Sequence, residues 1–238
     1  MNFSDIQDLD LENIQSDIDE SNIDGMCLEP QVMYLTETGE EVLVYGDPYE
    51  TGKKLDDNQG DNVYGYGQNC GLVSIHNLLT MAGIVSTEDE VVGRAIIYNQ
   101  CITSSPNFAD NGGTTVYMRQ NLLQTYGISS SIFWGNTKEG SLESIASYVE
   151  AGYGVNISGN SGYLWGDPNY IRDGKSNHSV IVTGTVRNSE TGELKGLFIC
   201  DSGKPGESSS VYLSVETLKD AYLNANGSAV LVTNNPIR

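Results

Sequence analysis

Residues 67–83, GQNCGLVSIHNLLTMAG, decide the architecture that this sequence predicts. Apolar side chains recur here at steps of three and four residues, which is the spacing of one buried helix face. They are Leu72, Ile75, Leu79 and Ala82. Gly83 follows at the place where a left-handed glycine commonly ends a helix. We therefore expect a helix that packs into the core, with Cys70 at its N-terminus.

Cys70 stands where a nucleophile would be expected. Unpaired N–H groups and the positive end of the helix dipole favour an anion at a helix N-terminus. A thiol there ionises more readily than a free thiol, and the thiolate is the nucleophilic form of cysteine. The alternative interpretation is a small core residue, because free cysteine is among the most buried residue types.

Composition and charge exclude several classes of function. A chain of 238 residues is long enough for one large domain. Its net charge of −20 disfavours nucleic acids and anionic membranes, and it permits a basic substrate or a basic partner or inhibitor protein. The sequence contains no run of 18 apolar residues, so it predicts no membrane-spanning helix. The N-terminus also lacks the basic and apolar regions of a secretory signal peptide.

The cysteines do not follow the spacing of a zinc site. They are Cys27, Cys70, Cys101 and Cys200. Four cysteines are too few for a disulfide scaffold of this length, so we expect free thiols, with one or two disulfides as the alternative. Because the chain has only two histidines, we expect no metal site, and we expect no cofactor.

The N-terminal stretch is set apart by its acidity. Lys53 is the first basic residue of the chain, and residues 1–30 combine Asp and Glu with sparse apolar positions. We expect residues 1–30 to be a flexible pro-segment or linker, with a short amphipathic helix as the alternative. Two short apolar runs then predict a β-hairpin. We therefore place the folded domain at residues 31–238, with residues 31–58 as its hairpin and lead-in.

Helices and strands follow the Cys70 helix. Residues suited to cap helix N-termini open three segments: Thr87, Thr114 or Thr115, and Ser141. Apolar runs predict strands at 129–134, 155–157, 178–184, 197–200, 211–213 and 229–232, with a last helix from Ser214. Residues 159–177 lack periodicity and predict an irregular functional loop. The order predicts an α+β fold, with the Cys70 helix in the N-terminal helical part packed on a C-terminal antiparallel sheet.

A cysteine nucleophile needs a base within hydrogen-bond reach and a third group that orients the base. His76 lies six residues beyond Cys70, about 240° around the same helix, so it cannot face the thiol. His178 remains, at the start of a predicted strand. Asp201 ends the next strong strand, which a tight hairpin sets beside the first. We expect Cys70, His178 and Asp201 to form a catalytic triad.

Acyl transfer also needs hydrogen-bond donors for the developing oxyanion. The backbone N–H of Cys70 is one candidate donor, and a side-chain amide from the preceding loop is the usual second. Gln59 and Gln68 both lie in that loop.

The run Asn69-Cys70-Gly71-Leu72 followed by a helix resembles the nucleophile motif of papain-like cysteine peptidases. The chain is similar to the bacteriocin-processing, double-glycine-cleaving branch over about residues 59–235, including NHSVIVTG around His178 and ICDSG around Asp201. It also resembles stand-alone papain-like domains of bacterial effectors and toxins. The resemblance implies a papain-like fold and assigns Cys70, His178 and Asp201 to the triad.

The resemblance also implies a glutamine in the oxyanion hole, and here the chain departs from the family. The family places this glutamine about six residues before the cysteine, where this chain has Tyr64. We prefer Gln59, because a loop can bring it back over the thiol, and keep Gln68 as the alternative.

The function implied is a thiol endopeptidase that cleaves proteins or its own leader, and that serves as a bacterial effector or toxin domain. Such a protein is made in the bacterial cytoplasm and exported, if at all, by a route that needs no signal peptide. Two alternatives remain. One is a glutamine deamidase or acyl transferase with the same triad, and the other is a binding module without activity.

Overall fold

The computed structural model describes residues 6–8, 28–36, 38–56, 58–203 and 210–238. Nine strands form one sheet in which every named pairing is antiparallel. Helices pack against this sheet, so the predicted α+β class is confirmed.

The helices are α1 (Pro48–Gly52), α2 (Cys70–Met81), α3 (Glu88–Ile97), α4 (Val116–Gln124), α5 (Leu142–Glu150), α6 (Ser161–Trp165), α7 (Pro168–Ile171) and α8 (Val215–Leu218). A π-helical turn, Lys219–Leu223, continues α8, and a 3-10 turn spans Phe108–Asp110. The strands are β1 (Ile6–Asp8), β2 (Gln31–Leu35), β3 (Glu41–Tyr45), β4 (Ser130–Trp134), β5 (Tyr153–Gly159), β6 (His178–Asn188), β7 (Leu194–Cys200), β8 (Val211–Ser214) and β9 (Ala229–Pro236).

Strand β6 is the axis of the sheet. On one side its first half pairs with β5 and its second half with β3, while β7 runs along its other side. From β5 the sheet continues through β9 to β4, and from β3 it continues through β2 to β1. Because β6 and β7 are antiparallel, the first residue of β6 and the last of β7 lie at the same end of the sheet.

The helix predicted to begin at Cys70 is confirmed. Helix α2 begins at Cys70, and Gly83 follows its last turn with a φ of 71°. Leu72, Ile75 and Leu79 are fully buried, as their spacing predicts. The predicted caps of the next three helices are also present. The side chains of Thr87, Thr115 and Ser141 each accept a hydrogen bond from a backbone N–H of the following turn.

Helices cover both faces of the sheet. Ile181 of β6 packs with residues of α2, α3 and α4, whereas its neighbours Val180 and Val182 pack with α5 and α8 on the other face. Successive side chains of a strand point to opposite faces, so a strand such as β6, which is buried from His178 to Val186, needs a cover on each side. The sequence predicted a helical layer on the sheet, but the apolar stripe of α5 does not tell which face it covers.

The prediction of an irregular loop at residues 159–177 is wrong in part, because this segment contains α6 and α7. The side chain of Asn160 caps α6 by accepting hydrogen bonds from two backbone N–H groups. Helix α7 begins after the cap Asp167, with Pro168 as its first residue. Helices of four or five residues are too short to show a 3.6-residue period. Their caps were the only local signal, since Asn or Asp before the first turn and Pro inside it favour a helix start.

The predicted hairpin is confirmed as β2 and β3, and β3 joins the main sheet through β6. Of residues 1–30, the described part includes β1, which pairs with β2. Residues 1–5 and 9–27, on which the predicted flexible segment and its helical alternative largely fall, lie outside the described residues. The domain boundary at residue 31 stays a prediction. Within the described ranges, no helix has both the length and the apolar character needed to cross a bilayer.

Replacing Ile75 by Ala should lower the free energy of unfolding by about 2–5 kcal/mol, because it leaves a cavity under α2 where the side chain is fully buried. Chemical denaturation of the pure protein measures the change. The matched control is Val85→Ala, whose side chain is 97% exposed and should change stability by less than about 0.5 kcal/mol. Equal effects of the two substitutions would show that α2 does not pack as described.

Candidate active site

The start of α2 is held by polar contacts on two sides. On one side the side-chain amide of Asn69 donates to the carboxylate of Glu88, 2.5 Å away, and Asn62 donates to the same oxygen at 2.8 Å. On the other side Ser74 donates to the carbonyl of Ser179 at 3.1 Å, which ties α2 to β6. Together these contacts set the position of Cys70 relative to the first residues of β6.

Glu88 is buried beneath this arrangement, with 6% of its surface exposed. Burial raises the pKa of Glu88, and the hydrogen bonds from Asn69 and Asn62 oppose the rise because they favour the carboxylate. The sequence analysis identified only the cap Thr87 in this turn, and the structure shows that Thr87 forms a capping box with Glu90. Nothing in the local pattern showed that the intervening Glu88 reaches the residue before Cys70.

His178 and Asp201 form a buried contact at the end of the sheet. The distance between His178 Nε2 and Asp201 Oδ1 is 2.6 Å, and the two residues are 6% and 3% exposed. His178 opens β6 and Asp201 directly follows β7, so the register of these paired strands brings them together. Because Nε2 faces Asp201, Nδ1 is the ring nitrogen left for a second partner.

Two further donors fix the carboxylate of Asp201. The indole N–H of Trp165 donates to Oδ2 at 2.7 Å, and the backbone N–H of Gly203 donates to Oδ1 at 2.9 Å. A Cβ on Gly203 would lie 3.0 Å from His178 Nε2 and 3.0 Å from the ring of Trp165. A glycine at this position therefore lets the imidazole and the indole approach the chain closely.

Trp165 was assigned no role from the sequence, although it lay in the segment predicted to be functional. Its ring packs edge-on against that of His178, with centroids 5.2 Å apart. An indole N–H that is removed from water usually has a hydrogen-bond acceptor. From the sequence, this tendency suggests that Trp165 has an acceptor, but it does not identify Asp201 as that acceptor.

Cys70 and His178 form a charge-coupled pair. Burial would raise the pKa of the Cys70 thiol, but the positive charge of His178, a hydrogen bond with it and the charge of Arg119 lower it overall. Burial would lower the pKa of His178, but the charges of Asp201 and Cys70 outweigh it and raise this pKa to about 10. Both shifts favour the charged forms, a thiolate at Cys70 and an imidazolium at His178.

Arg119 adds a second positive group that sequence reasoning missed. On α4, Leu122 and Leu123 are fully buried, as apolar residues of a core-facing helix are expected to be, and Met118 is half-buried. Arg119, beside Met118, is only 4% exposed. Burial lowers its pKa to about 10 and the Cys70 charge opposes this, so the guanidinium is still a cation at neutral pH.

The two candidate glutamines occupy different places. The side-chain amide of Gln59 donates to the carbonyl of Gly67 at 2.9 Å, and its backbone N–H donates to the carbonyl of Ser202 at 2.9 Å. Gln68 is exposed and lines the cleft that contains Cys70 and His178.

His76 is turned away from the thiol, as its position on α2 predicts. Its Nδ1 lies 2.9 Å from the hydroxyl of Ser86. Burial lowers its pKa, which disfavours a charged imidazole there.

A cleft of about 520 Å³ opens over this site and is lined in part by Cys70, Arg119, Ser158 and His178. Among the described residues, no three His, Cys, Asp or Glu side chains gather in a way that could hold a metal ion. The described cysteines, Cys70, Cys101 and Cys200, are all free thiols. The cleft brings together the thiol of Cys70, the imidazole of His178 and the guanidinium of Arg119, and the buried carboxylate of Asp201 contacts the imidazole.

Comparison with known proteins identifies the family of this chain. The model of the Peptidase_C39 like family matches residues 53–230. Among solved structures, a double glycine motif protease from an AMS/PCAT transporter, determined in complex with its leader peptide, is similar at 14% identity. That match covers 71% of this chain and 86% of the other, with a TM-score of 0.42. A search of curated proteins finds no match. The chain belongs to the Peptidase_C39-like family and is a papain-like cysteine peptidase.

Proposed function

We propose that this protein is a thiol endopeptidase in which Cys70 is the nucleophile, His178 the general acid and base, and Asp201 the group that orients His178. The observation that carries the proposal is the buried contact between His178 and Asp201 beside a thiol whose pKa is lowered by His178. A free cysteine in a core lacks such a partner. The pKa of Cys101, for example, is raised to about 11 by burial alone.

In the proposed reaction the Cys70 thiolate attacks the carbonyl carbon of the scissile peptide bond. The imidazolium of His178 gives its proton to the leaving amine, and a thioester with the acyl part of the substrate remains. Neutral His178 then takes a proton from water, whose oxygen attacks the thioester carbon. The carbon–sulfur bond breaks, the acyl part leaves as a carboxylic acid, and the pair of Cys70 thiolate and His178 imidazolium is restored. Asp201 keeps its charge throughout and stabilises the imidazolium. The hydrogen bonds that Trp165 and Gly203 donate to Asp201 hold its carboxylate in place for this role.

The oxyanion formed in both steps needs donors aimed at it. The backbone N–H of Cys70, at the first position of α2, is the first donor proposed. Gln59 is proposed as the second, since its Nε2 has two protons and only one is needed for the bond to Gly67. Gln68 is the alternative, supported by its place on the cleft wall.

The proposed substrate is a protein or the chain's own acidic N-terminal segment. The resemblance to stand-alone effector and toxin domains extends the proposal to a target protein in a bacterial setting. A net charge of −20 is compatible with a basic target or inhibitor.

The decisive experiment incubates the pure protein with a panel of protein substrates and follows intact masses. Chain cuts in the panel support the endopeptidase, and loss of the protein's own N-terminal residues identifies a self-cleaved leader. A gain of about one mass unit without chain cuts would instead indicate a deamidase. A protein that alters no substrate while Cys70 stays reactive would contradict the proposal.

Substitutions test the roles of the three residues. Cys70→Ala and His178→Ala should each lower kcat/KM by about 10⁶-fold, and the double variant should be no worse, because the pair acts as a unit. Asp201→Ala should leave more activity, with a loss of about 10⁴-fold. The matched control is His76→Ala, which should stay within a few-fold of the wild type. A folded His178→Ala variant with full activity would refute the assignment of the base.

The pH dependence of alkylation tests the charge coupling. Because His178 lowers the pKa of Cys70, iodoacetamide should label Cys70 ahead of Cys101 and Cys200, with a midpoint below the pKa of about 8.5 of a free thiol. His178→Ala should move this midpoint upward. Peptidase activity should then fall at high pH, as His178 loses its proton near its pKa of about 10. A wild-type midpoint at or above that of a free thiol would contradict the coupling.

The two glutamines are separated by their effects on turnover. Gln59→Ala should lower kcat by about 100- to 1,000-fold with little change in KM, because an oxyanion donor acts mainly in the transition state. Gln68→Ala should cost less, through a local disturbance before α2. Steady-state kinetics on one peptide substrate measures both. If Gln68→Ala shows the larger loss in kcat, the assignment of the second donor is reversed.

A further inference from the structure

Arg119 is buried without a counter-charge from any acidic residue described. Its Nη1 donates to the hydroxyl of Thr114 at 3.3 Å, its Nη2 donates to the hydroxyl of Ser158, and its Nε has no partner. A guanidinium has five N–H donors, so three of them are unused. Among the described residues, Cys70 is the one ionisable group whose charge acts on that of Arg119.

Arg187, by contrast, is paired with Glu143 and Glu150. Arg238 shares with Arg119 a buried Nε without a partner, but its Nη1 and Nη2 donate to two main-chain carbonyls of β6, and it is not among the residues that line the cleft. An unpaired buried charge costs several kcal/mol, and hydroxyl acceptors offset only part of that cost. The guanidinium of Arg119, which has donors left over, is therefore suited to bind an anionic group of a ligand.

The guanidinium lies beside the reacting thiol. A Cβ on Gly71, the residue after Cys70, would lie 3.1 Å from both Cδ and Nη1 of Arg119. Gly71 therefore lets Arg119 pack against the first turn of α2. Arg119 and Cys70 also line the same cleft, and none of the described residues that line it is Asp or Glu.

The charge of the cleft is opposite to that of the whole chain. The net charge of −20 repels ligands that are acidic overall, whereas the cleft contains Arg119 and the imidazolium of His178. The two conditions together favour a peptide that is neutral or basic overall and that has one carboxylate close to the bond to be cut.

We propose that Arg119 determines specificity by binding a substrate carboxylate next to the scissile bond. The planar guanidinium binds a carboxylate through two parallel N–H donors, which fixes orientation as well as charge. The carboxylate comes from an Asp or Glu side chain or from the C-terminus of a peptide. This inference rests on the proposed peptidase function and names the substrate class of that site.

The test uses pooled synthetic peptides, digested by the wild-type protein and read by mass spectrometry. One pair of pools differs only by Glu or Gln, and Asp or Asn, at the positions around the cut. A second pair differs by a free or amidated C-terminus. A charge-assisted hydrogen bond is worth about 1.5–3 kcal/mol, so the acidic pool should be cut about 10- to 100-fold faster. The pair that shows this preference identifies the source of the carboxylate.

Variants locate the preference on Arg119. Arg119→Met should abolish it, mainly by slowing cleavage of the acidic pool, and Arg119→Lys should keep a part of it. The matched control is Arg94→Met, since Arg94 donates to the carbonyl of Thr125 and packs on Tyr126. If the wild-type protein cuts the acidic pool and its neutral counterpart at equal rates in both pairs, that result alone overturns the proposal. An Arg119→Met variant that slows both pools equally would also overturn it, because Arg119 would then only stabilise the thiolate.

Failure of the peptidase function itself gives a different result. In that case no pool is cut although Cys70 is alkylated. Binding of the acidic and amide pools to the Cys70→Ala variant then tests Arg119 on its own. Retention of the acidic pool alone would support the carboxylate site, and equal retention would overturn it.

Discussion

The contact between His178 and Asp201 is the constraint on which the rest of the site depends. A buried carboxylate and imidazole 2.6 Å apart are stable only if their remaining polar atoms are satisfied. The indole of Trp165 and the backbone N–H of Gly203 meet that demand at Asp201. The pairing of β6 with β7 brings the two side chains to one end of the sheet. A shift of one residue in that register would turn either side chain to the opposite face.

The thiol reaches this pair through a different part of the fold. Cys70 opens α2, and the bond from Ser74 to Ser179 holds that helix against β6. The bond from Asn69 to Glu88 fixes the residue before the thiol to the first turn of α3. The proposed nucleophile and base thus belong to separate layers, a helix and a sheet, which are joined by buried polar bonds as well as by apolar packing. The cleft lies where these layers meet.

The electrostatics of the cleft are local and opposite in sign to the chain as a whole. His178 and Arg119 both lower the pKa of Cys70, and Cys70 in turn opposes the effect of burial on Arg119. Low-dielectric surroundings strengthen such interactions, so two cations near one thiol outweigh a distant acidic surface. The same two cations are available to an anionic group of a substrate.

Local sequence determined much of the framework of this protein. The period of α2, the caps Thr87, Thr115 and Ser141, and the apolar runs of β6 and β7 predicted elements that the structure confirms. These signals depend on residues only a few positions apart. The same local patterns singled out Cys70, His178 and Asp201. Tertiary structure alone decided that Glu88 meets Asn69, that Trp165 meets Asp201 and that Arg119 is buried beside Cys70. These partners are 19, 36 and 49 residues apart in the chain, so their meeting depends on the packing of whole helices and strands.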